Sequence, residues 1–127
     1  MAYLQFYTQN GIRWDDAVQE VREGRGEVFA CVIRTFKKGS SETDLAYGMF
    51  FRDLEGVMCD CLQPTRSQLK TCRNAEMAFV FLREAYPDCW DFSLPVLDDH
   101  NVVQQGEIGD RTVLKHKAQV RLSDLRD

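Results

Sequence analysis

The amino-acid sequence predicts an α+β fold: a single domain over residues 1–127 in which a largely antiparallel sheet carries two helices packed on one face. Three observations lead there. Two segments repeat apolar residues at spacings of three and four, the period of a helix with one buried stripe. Several others alternate with period two or run apolar for five or six residues, as strands do. The elements follow the order strand, helix, strand, strand, strand, helix, strand, strand, which suits helices laid on one side of an antiparallel sheet.

Tyr3 to Thr8 alternates weakly and predicts a short strand, closed by the turn pair Asn10-Gly11. Trp14, Ala17, Val18 and Val21 then form a helical stripe. Asp15 and Asp16 favour the positive end of its dipole, and Gly24 suits its C-terminal cap. Val28 to Ile33 is a continuous apolar run and predicts a central strand covered on both faces. Residues from Lys37 to about 45 begin with eight positions that lack an apolar side chain, which predicts a mobile loop. Ala46 to Arg52 and Val57 to Leu62 flank Asp53-Leu54-Glu55-Gly56 as a hairpin, and Gln68 to Cys72 is either a short strand or the start of the second helix.

That second helix carries the strongest local signal. Asn74 stands where an N-cap belongs, because its side-chain oxygen can accept an orphaned backbone N–H. Ala75, Ala78, Phe79, Leu82 and Tyr86 make the stripe, and Pro87-Asp88 ends it. Cys89 to Pro95 reads as a strand with Trp90, Phe92 and Leu94 on one face. Residues 98–110 form a polar loop, and Thr112 to Leu122 alternates over a last strand with one wet face.

Composition excludes several classes. The chain has 44% hydrophobic and 28% charged residues, enough apolar content for a core and too much for disorder. A net charge of -4 has the wrong sign for a general nucleic-acid binder. No apolar run approaches the roughly 20 residues a membrane helix needs, and Met1 to Gln5 lacks the pattern of a secretory leader, so a small soluble cytoplasmic protein is expected, without membrane contact. Cys31, Cys59, Cys61, Cys72 and Cys89 are odd in number and irregularly spaced, as reduced thiols packed among apolar residues would be.

Candidate chemistry is sparse. Cys59 and Cys61 flank Asp60 on one strand, about 7 Å apart by strand rise, but no second closely spaced ligand pair completes a zinc site. Asp98, Asp99 and His100 with Glu107 and Asp110 gather hard-metal ligands without the spacing of a calcium loop. Neither a metal nor another cofactor is therefore expected. Gly24-Arg25-Gly26 lacks the third glycine of a dinucleotide loop and follows a helix instead of a strand.

No catalytic residue is assigned, because a nucleophile, base and orienter cannot be read together from the chain. Its functional expectation is a non-catalytic accessory protein acting through a protein partner, compositionally similar to the small accessory proteins of microbial mobile elements. Arg111, Lys115, Lys117 and Arg121 form a basic row suited to an acidic partner or to protecting a sheet edge. A homodimer would cover the sheet face left without helices, with Tyr47, Phe51 or Trp90 as anchors. The rivals are a ligand binder or small enzyme with a pocket between helix and sheet, using His116, Asp91 or Cys61, and a nucleic-acid accessory protein using the basic row.

Overall fold

A computed structural model describes residues 2–3, 11–36, 43–63, 68–103 and 119–121 of the chain. It is an α+β fold. Its elements are β1 (Ala2–Tyr3), β2 (Ile12–Arg13), α1 (Trp14–Arg22), β3 (Gly26–Phe36), β4 (Thr43–Asp53), β5 (Met58–Leu62), β6 (Thr71–Cys72), α2 (Ala75–Ala85), β7 (Ser93–Pro95), a single 3-10 turn (Asp99–Asn101) and β8 (Gln119–Arg121).

The sheet runs β1-β3-β4-β5-β2, with β6 also on β4. All its pairings are antiparallel except β2 with β5. β3 and β4 are its spine, in register from Gly26 opposite Asp53 to Phe36 opposite Thr43. The connecting turn of the β4–β5 hairpin is built by Asp53, whose Oδ1 accepts from the N–H groups of Glu55 and Val57, while Gly56 takes the left-handed φ of 86°.

β5 stays beside β4 only from Met58 to Asp60 and then diverges. The chain returns into the gap. Lys70 N–H donates to Cys61 O on one side, and Lys70 O accepts from Met49 N–H on the other. The segment that sequence left between strand and helix is thus a strand wedged between β5 and β4.

Both helices contribute to one buried cluster. Trp14 and Ala17 from α1 and Ala78, Phe79, Leu82 and Ala85 from α2 meet Val28, Ala30 and Val32 of β3 and Tyr47, Met49 and Phe51 of β4. The intervening strand residues, Cys31, Ile33, Ala46 and Phe50, form a second cluster with Leu69 and Val103. Period-two alternation therefore sorts one strand pair into two cores, and β3 is covered on both faces as its unbroken apolar run requires.

Local signals explain the helix ends. Gly24, at φ 76°, lets α1 close with Gly24 N–H on Val21 O and Arg25 N–H on Glu20 O, a Schellman end. Asn74 Oδ1 accepts from Met77 N–H at 2.8 Å, as its cap position predicts. The far end of α2 is clipped to β3 by the Tyr86 hydroxyl, which accepts from Val28 N–H and donates to Val28 O.

Four expectations need correction. The strand after α2 covers Ser93–Pro95 instead of Cys89 to Pro95, because Cys89 N–H turns back onto Tyr86 O. Trp90 consequently faces solvent, while Phe92 stacks on Phe79 and Leu94 is buried. Thr43 and Asp44 belong to β4, and residues 37–42 of the expected loop lie outside the described residues. Tyr47 and Phe51, offered as exposed dimer anchors, are core residues: the Tyr47 hydroxyl donates to Pro95 O at 2.8 Å. Of the expected last strand only Gln119–Arg121 is described, paired with β7.

Candidate functional site

Cys59, Asp60 and Cys61 occupy the middle of β5, and alternation sends the two thiols to the helix-covered face and Asp60 to the other. Burial raises the Cys61 thiol well above its ordinary range. The same cause, helped by the nearby Asp60 carboxyl, raises Cys59. Cys72, at the end of β6, is pushed up to about 11 by burial, and its Sγ donates to Asn74 O. None of the five cysteines is in a disulfide. Thiols held protonated in apolar surroundings are poor nucleophiles. At about pH 8 a thiol reagent is accordingly expected to modify Cys89 first, with Cys31, Cys61 and Cys72 reacting only on unfolding. A fast phase that survives Cys89→Ser would contradict this order.

Asp60 is the anomaly of the core. Only 4% of it is exposed, its Oδ2 has no hydrogen-bond partner among the described residues, and burial raises its carboxyl to about 7. Sequence reasoning noted Asp60 only as the residue between two thiols; its burial follows from the packing of both faces of β5 and is not marked in the linear pattern.

The acidic loop is occupied structurally. Asp98 Oδ1 accepts from the N–H groups of His100 and Asn101, and Asp99 pairs with Arg34 at 2.5 Å. Glu107 and Asp110 lie outside the described residues, and no group of three or more metal-ligating side chains occurs among those described. Of the pocket candidates, Cys61 is fully buried in the main core and Asp91 is exposed after Trp90, so the fold does not bring them to one cavity. His116, Arg111, Lys115 and Lys117 lie outside the described residues; Arg121 is placed only as the β8 residue opposite Ser93.

Two surfaces do stand out. On the outer side of α2, Met77 and Val80 are exposed one turn apart, and the next turn carries Arg83, whose guanidinium lies 3.6 Å from the centre of the Trp90 ring. Trp90 is itself 58% exposed. The stack holds a large, exposed aromatic against the protein, and cation–π attraction to Arg83 fixes its place. Sequence reasoning offered Trp90 as an anchor but on a strand face shared with Phe92 and Leu94, and did not foresee its stack on Arg83.

The second surface is a cleft of about 430 Å³ lined by Thr35, Asp44, Leu45, Ala46, Thr71, Cys72 and Arg73, where β4 runs past the end of β6. Arg73 is exposed on its wall, and Thr35 Oγ1 donates to Asp44 O at its base. Nothing in the linear pattern marks it, since it exists only because β6 stops short.

No helix among the described residues is long and apolar enough to cross a membrane. Comparison of the chain with protein-family models, with curated proteins and with solved structures finds no match.

Proposed function

We propose that this chain is a non-catalytic domain that acts by binding a protein partner, docking it on the outer face of α2 and on Trp90. The observation that carries this reading is the exposed Trp90 held by Arg83 beside Met77 and Val80. Trp and Arg are the side chains most enriched at the energetic centres of protein interfaces, and a preorganised aromatic loses little freedom on binding. The protonated, packed thiols and the capped acidic loop support a binding role over a chemical one. The basic row Arg111, Lys115, Lys117 and Arg121 is proposed as a supplementary contact for an acidic stretch of that partner, with salt sensitivity as its signature.

Photo-crosslinking in the native host tests the docking face. A crosslinker at position 80 is expected to trap one discrete adduct, and one at position 16, exposed on α1, to trap none. Trp90→Ala should lose the adduct and weaken the partner at least tenfold, about 1.4 kcal/mol, while leaving stability within roughly 0.5 kcal/mol. Equal adducts from both positions, or an adduct indifferent to Trp90→Ala, would count against the assignment.

A further inference from the structure

Among the described residues, one stretch of β4 has no strand on the side away from β3. Antiparallel strands direct alternate residues to alternate neighbours. In β4, Met49 N–H donates to Lys70 O and Asp53 N–H to Val57 O, so the odd-numbered residues bond on the side away from β3. Tyr47 continues this set opposite Cys72. Leu45 comes next.

Its partner in register would be Asn74, but Asn74 has left the sheet: its side chain caps α2, and its carbonyl accepts from Ala78 N–H and Cys72 Sγ. Starting a helix there diverts the chain, and the described strands β5 and β6 do not reach Leu45. The main-chain N–H and C=O of Leu45 are therefore turned into the cleft. Arg73 stands on the opposite wall, and no ion pair or hydrogen bond engages it among the described residues.

We propose that this cleft takes an extended peptide segment, which adds to β4 at Leu45 and presents a carboxylate to Arg73. A ladder donor and acceptor on one residue fit a peptide backbone, and a guanidinium with no partner among the described residues fits a carboxylate. The volume is within the range of ligand sites. Asp44, on the β4 wall, directs the anionic end away from itself and toward Arg73. The site rests on the partner-binding reading only in that its ligand is a segment of protein; it shares no residue with the Trp90 face.

The test is an NMR titration of the intact chain with three capped probes of alternating valine and threonine. One ends in glutamate amide, one in a free C-terminal carboxylate, one in glutamine amide. In the unliganded protein the Leu45 amide is expected to exchange with solvent much faster than those of Ala46 and Tyr47. Either carboxylate probe at about 1 mM should shift and protect the Leu45 amide, and the comparison of the two assigns the carboxylate to a side chain or to a chain end. The glutamine probe should bind severalfold more weakly.

Arg73→Gln should erase that preference. Leu45→Pro should fold, since the lost N–H is unpaired, and abolish binding; if it does not fold, the exchange rate of the unmodified Leu45 amide decides the point. Trp90→Ala should leave the titration unchanged, so failure here is separable from failure of the α2 docking face. A Leu45 amide as slow as Ala46 without peptide, or binding of all three probes alike and indifferent to Arg73→Gln, overturns the proposal.

Discussion

Asp60→Asn is expected to stabilise the protein at pH 8 by roughly 1–3 kcal/mol and to weaken it by about as much at pH 4. The carboxyl is buried with an unpartnered oxygen, so the folded state keeps it neutral up to about pH 7, whereas an unfolded chain ionises it from its ordinary 3.8. Between those values the native state binds a proton that the unfolded state releases. Stability therefore falls as pH rises through that window, by about 1.4 kcal/mol per pH unit, and levels off above it.

The amide cannot ionise, so it removes this dependence; part of the gain is offset by its own buried N–H groups, at about 1–3 kcal/mol. Urea unfolding of both proteins from pH 4 to pH 8 isolates the site, because every other titration is common to the pair. Parallel stability curves, or a variant weaker at pH 8, would show that Asp60 is not held neutral.

Trp14→Ala should cost about 3–5 kcal/mol, the range for emptying a buried aromatic site. Trp14 opens α1 and is almost fully buried, and two other segments converge on it. Its Nε1–H donates to Glu84 Oε2 of α2 at 3.0 Å, its ring lies 6.1 Å from that of Phe81, and the Lys70 ammonium from the wedged strand lies over both rings. Trp14→Phe keeps much of the volume and loses the N–H, so it should cost less than half as much and leave Glu84 solvated. Denaturant midpoints of the two variants check the ratio. Near-equal losses would mean that the hydrogen bond, and not the packed ring, joins the helices.

Much of this architecture is legible residue by residue. Asn74 and the stripe Ala75, Ala78, Phe79 and Leu82 specify α2 within one residue, because a cap and a helical period are local properties. The run Val28 to Ile33 announces a strand with two dry faces, and Asp53 to Gly56 announces the turn from β4 to β5. The candidate sites are less legible: the sequence pointed to His116, Asp91, Cys61 and the basic row, and to Trp90 only as one of three anchors, whereas the surfaces that stand out are built by Trp90 with Arg83 and by Leu45 with Arg73.

Local sequence specifies both helices with their apolar sides and the β3–β4 and β4–β5 strand pairs, since side-chain periodicity and end-capping act over a few neighbouring residues. The tertiary structure alone decided that β5 parts from β4 and admits β6, that β2 joins β5 in parallel, and that the second face of the sheet is dry around Phe50 and Ile33. It also decided that Asp60 is buried and that, among the described residues, Leu45 has no strand on the side away from β3. Pairing and burial of this kind join residues far apart in the chain. Their free energy depends on which surfaces meet after loop closure, a quantity that no local pattern contains.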